Sequence, residues 1–215
     1  MVLLILAAVI AAYLLCLYPG ARRSPEPFAG RCFAHRGLHD GTAACPENSL
    51  AAFAAARQAG YAVELDVQLT ADGQVVVFHD ADLWRMCDVR GRVSDLRYDE
   101  VSACRLLGGE EGIPLLQDAL QVLDGTTVLC EVKSYGGIRD TRLCERLVPL
   151  LSAYPGTVIL QSFDPFCVRR LRHLFPAWRC GLLVHNFLSS QKNTKSGRRN
   201  VLKVIKIECE SFYTF

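Results

Sequence analysis

From residue 31 onward, short β-rich apolar runs alternate with stretches of helical period. The runs predict strands over 31–34, 63–69, 75–78, 127–132, 157–161 and 180–184, and helices over 49–59, 95–106, 115–123, 141–153 and 165–174. Apolar strands separated by helices predict a parallel sheet covered by those helices. The last helix has a strong start signal, with Asp164 able to cap it and Pro165 at the first helical position, where the missing N–H costs nothing. Asp140 can cap the helix before it, which Pro149 is expected to kink.

The start of the chain has a different pattern. No charged side chain occurs from Met1 through Ala21; residues 2–18 are almost wholly apolar, and Pro19-Gly20 and then Arg22-Arg23 follow. A helix that crosses the hydrocarbon needs about 17–25 such residues. The run is therefore expected to be a single transmembrane anchor, with a cleaved signal as the alternative. Basic residues after the run place the following domain in the cytoplasm. The expected organisation is an anchor over 1–20, a linker over 21–30, an α/β domain over 31–188 and a basic segment over 189–215.

Composition narrows the classes. The 215 residues are 51% hydrophobic and 21% charged with a net charge of +2, which excludes wholesale disorder and gives no basic field for nucleic acid. Of the ten cysteines, nine lie beyond the apolar run, with no Cys-x-x-Cys pair. Zinc is disfavoured, and the thiols read as small reduced hydrophobes.

Charged residues gather at strand ends. Glu64 and Asp66 flank Leu65 in the second strand and share one face. Adjacent carboxylates raise each other's pKa unless a cation neutralises them, and a hard divalent ion does so directly; an exposed strand face is the plain alternative. Asp72-Gly73 is a turn signal. If the chain folds back there, positions summing to about 145 face each other, which brings His79 near Asp66. His35-Arg36-Gly37 ends the first strand, supplying a titratable imidazole and a guanidinium suited to phosphate. Glu131 and Lys133 share a face at the end of a later strand, where buried charges must pair or ligate. Chemistry clustered at strand ends favours a TIM-type (β/α) barrel over an open sheet, and the inventory suits metal-assisted cleavage of a phosphodiester.

The chain resembles the glycerophosphodiester phosphodiesterase family, within the phospholipase-C-like phosphodiesterase barrels. The resemblance runs through Ala34-His35-Arg36-Gly37, Pro46-Glu47-Asn48-Ser49, Ala52-Phe53, Gly60, Glu64-Leu65-Asp66-Val67, Thr70, Asp72-Gly73 and His79-Asp80. It continues through Ile113-Pro114, Glu131-Val132-Lys133 and Ser162-Phe163-Asp164-Pro165. It implies a (β/α) barrel holding Mg²⁺ or Ca²⁺ on Glu64, Asp66 and Glu131. It further implies His35 and His79 as acid and base, Arg36 and Lys133 as phosphate contacts, and Glu47 as a further metal or substrate contact or a helix-start residue. The implied reaction releases an alcohol and glycerol 3-phosphate. A lysophospholipase-D-like activity on lysolipids at a membrane and a non-catalytic phosphate-binding protein are the alternatives. The barrel is expected to be incomplete at its C-terminal end: such barrels take about 250 residues, and after Val184 only residues 201–208 read as a further strand.

Overall fold

The computed structural model describes residues 2–17, 31–135, 140–183 and 204–206. The predicted linker over 21–30 and nearly all of the basic segment over 189–215 lie outside the described residues.

The first element is α1 (Val2–Leu17), 16 residues long. At 1.5 Å per residue these 16 residues rise about 24 Å, short of the roughly 30 Å hydrocarbon layer. No helix among the described residues is long and apolar enough to cross a membrane, so the expected transmembrane helix is not supported.

The domain then runs β1 (Cys32–His35), α2 (Leu50–Gln58), β2 (Ala62–Leu69), β3 (Val75–Val77), the short α3 (Trp84–Cys87) and α4 (Tyr98–Ser102), and α5 (Leu116–Leu123). It continues with β4 (Val128–Val132), α6 (Arg142–Ser152), β5 (Val158–Ser162), α7 (Pro165–Leu174), β6 (Arg179–Leu182) and β7 (Val204–Lys206). The strand order is β6-β5-β4-β2-β1-β7, with β3 attached to β2. The β1–β2, β2–β4, β4–β5 and β5–β6 pairs are parallel, as the alternation predicts.

Strand periodicity divides the side chains between two faces. Val63, Leu65, Val67, Cys130, Val132 and Leu160 join one large buried cluster with residues of α2, α5, α6 and α7. In α5, Leu116, Ala119, Leu120 and Leu123 are the buried positions, spaced i, i+3, i+4, i+7 as a helix needs to cover a sheet. On the other face Phe33, Ala62, Leu129 and Ile159 form a separate apolar layer. Two and four residues further along the strands, that same face turns charged.

Two predicted details change. The helix expected over 95–106 is broken into α4 flanked by 3₁₀ turns at Val93–Asp95 and Leu106–Gly108, with Leu107 at φ +52°. Its apolar residues Val101, Cys104 and Leu106 serve a second small core with Val76, Phe78, Leu83 and Met86, and that packing overrides the helical period. At α6, Thr141 is the cap position, while the Asp140 carboxylate accepts the Arg142 N–H at 3.1 Å; the helix runs through Pro149. Asp164 caps α7 as expected, accepting from the Phe166 N–H.

The strand expected near residues 201–208 is β7, and it pairs antiparallel with β1 rather than adding a parallel βα unit. Among the described residues β6 and β7 are the two ends of the sheet, so no strand pair closes the ring.

Candidate active site

Parallel strands of matched register bring the acidic residues together. His35 is the register partner of Glu64, and Asp66 is the partner of Glu131. Glu64, Asp66 and Glu131 each offer an oxygen within 4.8 Å of the others, and all three are buried. Alternation on β2 sends Leu65 into the helix-covered core instead.

Polar neighbours orient these carboxylates. The Arg36 backbone N–H donates to Glu64 Oε2 at 3.0 Å, and Asn48 Nδ2 donates to Asp66 Oδ2 at 2.9 Å. Lys133 Nζ lies 2.8 Å from Asp66 Oδ1 and also bonds Glu131 Oε1. Arg36 Nε is 3.5 Å from Asp66 Oδ2, and His35 Nε2 is 3.9 Å from Glu64 Oε2. Burial, then the charges of Asp66 and Glu131, push the Glu64 carboxyl well above its usual range; burial and Asp66 raise Glu131 as well, against the opposing charge of Lys133. Burial disfavours the Lys133 ammonium, but Asp66 and Glu131 outweigh it and raise its pKa.

These residues fit a divalent cation. Three buried oxygen donors meet with excess negative charge, and Asn48 Oδ1 is buried beside them without a hydrogen-bond partner. Hard ions such as Mg²⁺ and Ca²⁺ take this donor set.

The second histidine arrives on the β2–β3 hairpin. Thr70 and Gln74 close the turn, with the Thr70 N–H donating to the Gln74 carbonyl at 3.0 Å and Gly73 at φ +80°. Val67 pairs with Val77, so the register sums to one less than expected. Phe78, rather than His79, therefore lies opposite Asp66, its N–H donating to the Asp66 carbonyl at 2.9 Å. His79 follows at the rim. Its backbone carbonyl accepts from Tyr135 Oη at 2.8 Å, and its Nδ1 lies 2.6 Å from Asp80 Oδ1. Gln68 Nε2 donates to the Phe78 and Asp80 carbonyls, pinning the same segment. His79, Glu131, Lys133, Tyr135, Phe163 and Phe166 line a cavity of about 760 Å³.

Glu47 sits apart from the acidic trio. Its carboxylate takes Arg36 Nη1 at 2.8 Å and Arg85 Nη2 at 2.6 Å, so it orients arginines. Burial opposes its charge, yet Arg85 and Arg36 hold its pKa below the ordinary value; Arg85 and His79 do the same for Asp80.

The sequence reading missed Asn48, Gln68, Arg85 and Tyr135 as site partners. Asn48 carried a usable signal: it sits at φ +55°, a conformation Asn tolerates better than most residues, directly after Glu47. Arg85 carried none, since its partner Glu47 is 38 residues away.

The model of the glycerophosphoryl diester phosphodiesterase family matches residues 35–209. A glycerophosphodiester phosphodiesterase of Caldanaerobacter subterraneus is 33% identical over 160 residues, covering 70% of this chain and 65% of its own. The uncharacterized Bacillus subtilis protein YqiK is 41% identical over 159 residues, covering 67% and 64%. A Rattus norvegicus lysophospholipase D is 32% identical over 160 residues, covering 67% and 49%. The chain thus spans from about half to just under two thirds of the length of these relatives. An Oleispira antarctica phosphodiesterase, solved in complex with the product sn-glycerol-3-phosphate, superposes with a TM-score of 0.67 at 28% identity, over 76% of this chain and 69% of that one. The chain belongs to the glycerophosphoryl diester phosphodiesterase family.

Proposed function

We propose that this chain hydrolyses glycerophosphodiesters to an alcohol and glycerol 3-phosphate with the help of a divalent cation. The observation that carries this reading is the buried trio Glu64, Asp66 and Glu131, set between two histidines at strand ends. These three carboxylates would hold the ion, which when bound supplies a Lewis acid for the phosphoryl oxygens.

The chain's own groups do the rest. The Asp80 carboxylate accepts a hydrogen bond from His79 Nδ1–H, which leaves Nε2 to exchange protons with substrate. One histidine takes a proton from the attacking water, whose oxygen bonds to phosphorus as the P–O bond to the alcohol breaks, and the other gives a proton to the departing alkoxide. Arg36 and Lys133 stabilise charge on the phosphoryl group. The test is release of glycerol 3-phosphate from glycerophosphocholine by the purified chain with Mg²⁺ or Ca²⁺. No release with either ion overturns the reading.

Action on lysolipids is the second reading. It is favoured by Phe163 and Phe166, which are 50% and 42% exposed at the cavity mouth and offer apolar surface to an acyl chain. Faster turnover of lysophosphatidylcholine than of glycerophosphocholine would select it.

A further inference from the structure

Arg85 lies outside the acidic trio and outside every motif that carried the sequence resemblance, yet it joins the two halves of the site. Its Nε donates to Asp80 Oδ2 at 2.5 Å, on the carboxylate whose other oxygen meets His79 Nδ1. Its Nη1 and Nη2 donate to Glu47 Oε2 at 3.1 Å and Oε1 at 2.6 Å. Glu47 Oε1 in turn accepts from Arg36 Nη1 at 2.8 Å. An unbroken chain of charged contacts therefore runs from the His79 imidazole through Asp80, Arg85 and Glu47 to the Arg36 guanidinium.

The burial of the links separates orientation from stability. The Arg85 side chain is 47% exposed and sits on a helix of only four residues, a setting in which ion pairs contribute little to folding. Geometry is what it supplies. A guanidinium is a planar fork that can engage two carboxylates in fixed directions, which a lysine ammonium cannot reproduce. Without the fork, Asp80 can rotate away from His79, and Glu47 can swing and take Arg36 with it.

We infer that Arg85 is a positioning residue, clamping Asp80 and Glu47 so that the His79 ring and the Arg36 guanidinium are held in their working orientations. This rests on the reading above, in which His79 moves protons and Arg36 contacts phosphate. A clamp on both groups affects kcat through the histidine and KM through the arginine.

The test uses the full chain with glycerophosphocholine and a divalent cation, comparing wild type, Arg85→Ala, Arg85→Lys and Arg57→Ala. Arg57 is a control, because it is 48% exposed in an ion pair with Asp124 away from the site. Arg85→Ala is expected to lower kcat by ~10²-fold, the cost of about 1 Å of misplacement, and to raise KM. Its thermal midpoint should stay within about 4 °C of wild type. Non-denaturing guanidinium should restore part of the lost rate to Arg85→Ala alone, Arg85→Lys should recover little, and Arg57→Ala should match wild type. An active wild type with unchanged kinetics in Arg85→Ala overturns the inference alone. So does a rate loss that tracks a fallen midpoint and is not rescued by guanidinium. An inactive wild type overturns the hydrolase reading and this inference with it.

Discussion

Asp66 on β2 and Glu131 on β4 are direct register partners, and the Lys133 ammonium contacts both carboxylates. The Lys133 side chain is only 8% exposed, so its removal strands buried negative charge. Lys133→Met should destabilise the cation-free protein by about 3 kcal/mol, within the range for breaking a buried pair. Added Mg²⁺ or Ca²⁺ should recover part of that loss in a thermal melt. A melt unchanged from wild type would show that the carboxylates need no counter-charge.

His35 and His79 are each partly exposed at strand ends, with side-chain exposures of 20% and 30%. Their replacement leaves no large cavity. His35→Ala and His79→Ala should each lower kcat by ~10²–10⁴-fold, the usual worth of a positioned acid or base, with thermal midpoints near wild type. Release of glycerol 3-phosphate measures the first quantity and a melt the second.

Asn48 holds Asp66 by a 2.9 Å hydrogen bond. Groups that orient a ligating carboxylate typically contribute about 10–100-fold to metal affinity. Asn48→Ala should raise the cation concentration for half-maximal activity by that factor, while kcat at saturating cation changes less. Titration of activity with Mg²⁺ or Ca²⁺ separates the two.

Glu47 and Asp80 have pKa values lowered from ordinary values of 4.5 and 3.8. A carboxylate with a depressed folded pKa stabilises the fold above its unfolded value, and that stability is lost as pH falls through the folded value. The Glu47→Gln/Asp80→Asn double variant should therefore melt below wild type at about pH 6, and the gap should narrow as the pH falls below the ordinary values of 4.5 and 3.8. A constant gap across that window would contradict the assignment.

Gly37 lets the chain leave β1 against α2. Its φ is +82°, and a Cβ there would lie 2.7 Å from Ala52 Cβ and 2.9 Å from the Ala52 backbone carbon. The Leu38 N–H donates to the Ala52 carbonyl at 2.9 Å across the same contact, so neither segment can simply retreat. Gly37→Ala should cost about 2 kcal/mol or more, measured by denaturant unfolding, and should displace the neighbouring Arg36.

The parts of this fold legible in the sequence are those set by local pattern. Strand alternation placed Glu64 and Asp66 on one face, because side-chain direction follows the period of two wherever the strand lies. The cap at Asp164 was equally local. The helix expected over 95–106 failed because Val101 and Leu106 pack into a core built largely by residues 76–93, a long-range preference that no window on the segment contains. The hairpin was legible from Asp72-Gly73 to within one residue of register; the turn from Thr70 to Gln74 sets the rest through hydrogen bonds rather than through hydrophobicity. Arg85 was invisible for the same kind of reason: its significance comes from partners on other elements.

The layer of Phe33, Ala62, Leu129 and Ile159 beneath the carboxylates has a consequence for traffic. These four side chains are at most 8% exposed and fill the inner face of the sheet below the charged level, so among the described residues that layer offers no passage to the acidic centre. In the proposed reaction, glycerol 3-phosphate leaving the cavity above that layer would compete with the next diester, and added glycerol 3-phosphate should slow turnover as a competitive inhibitor.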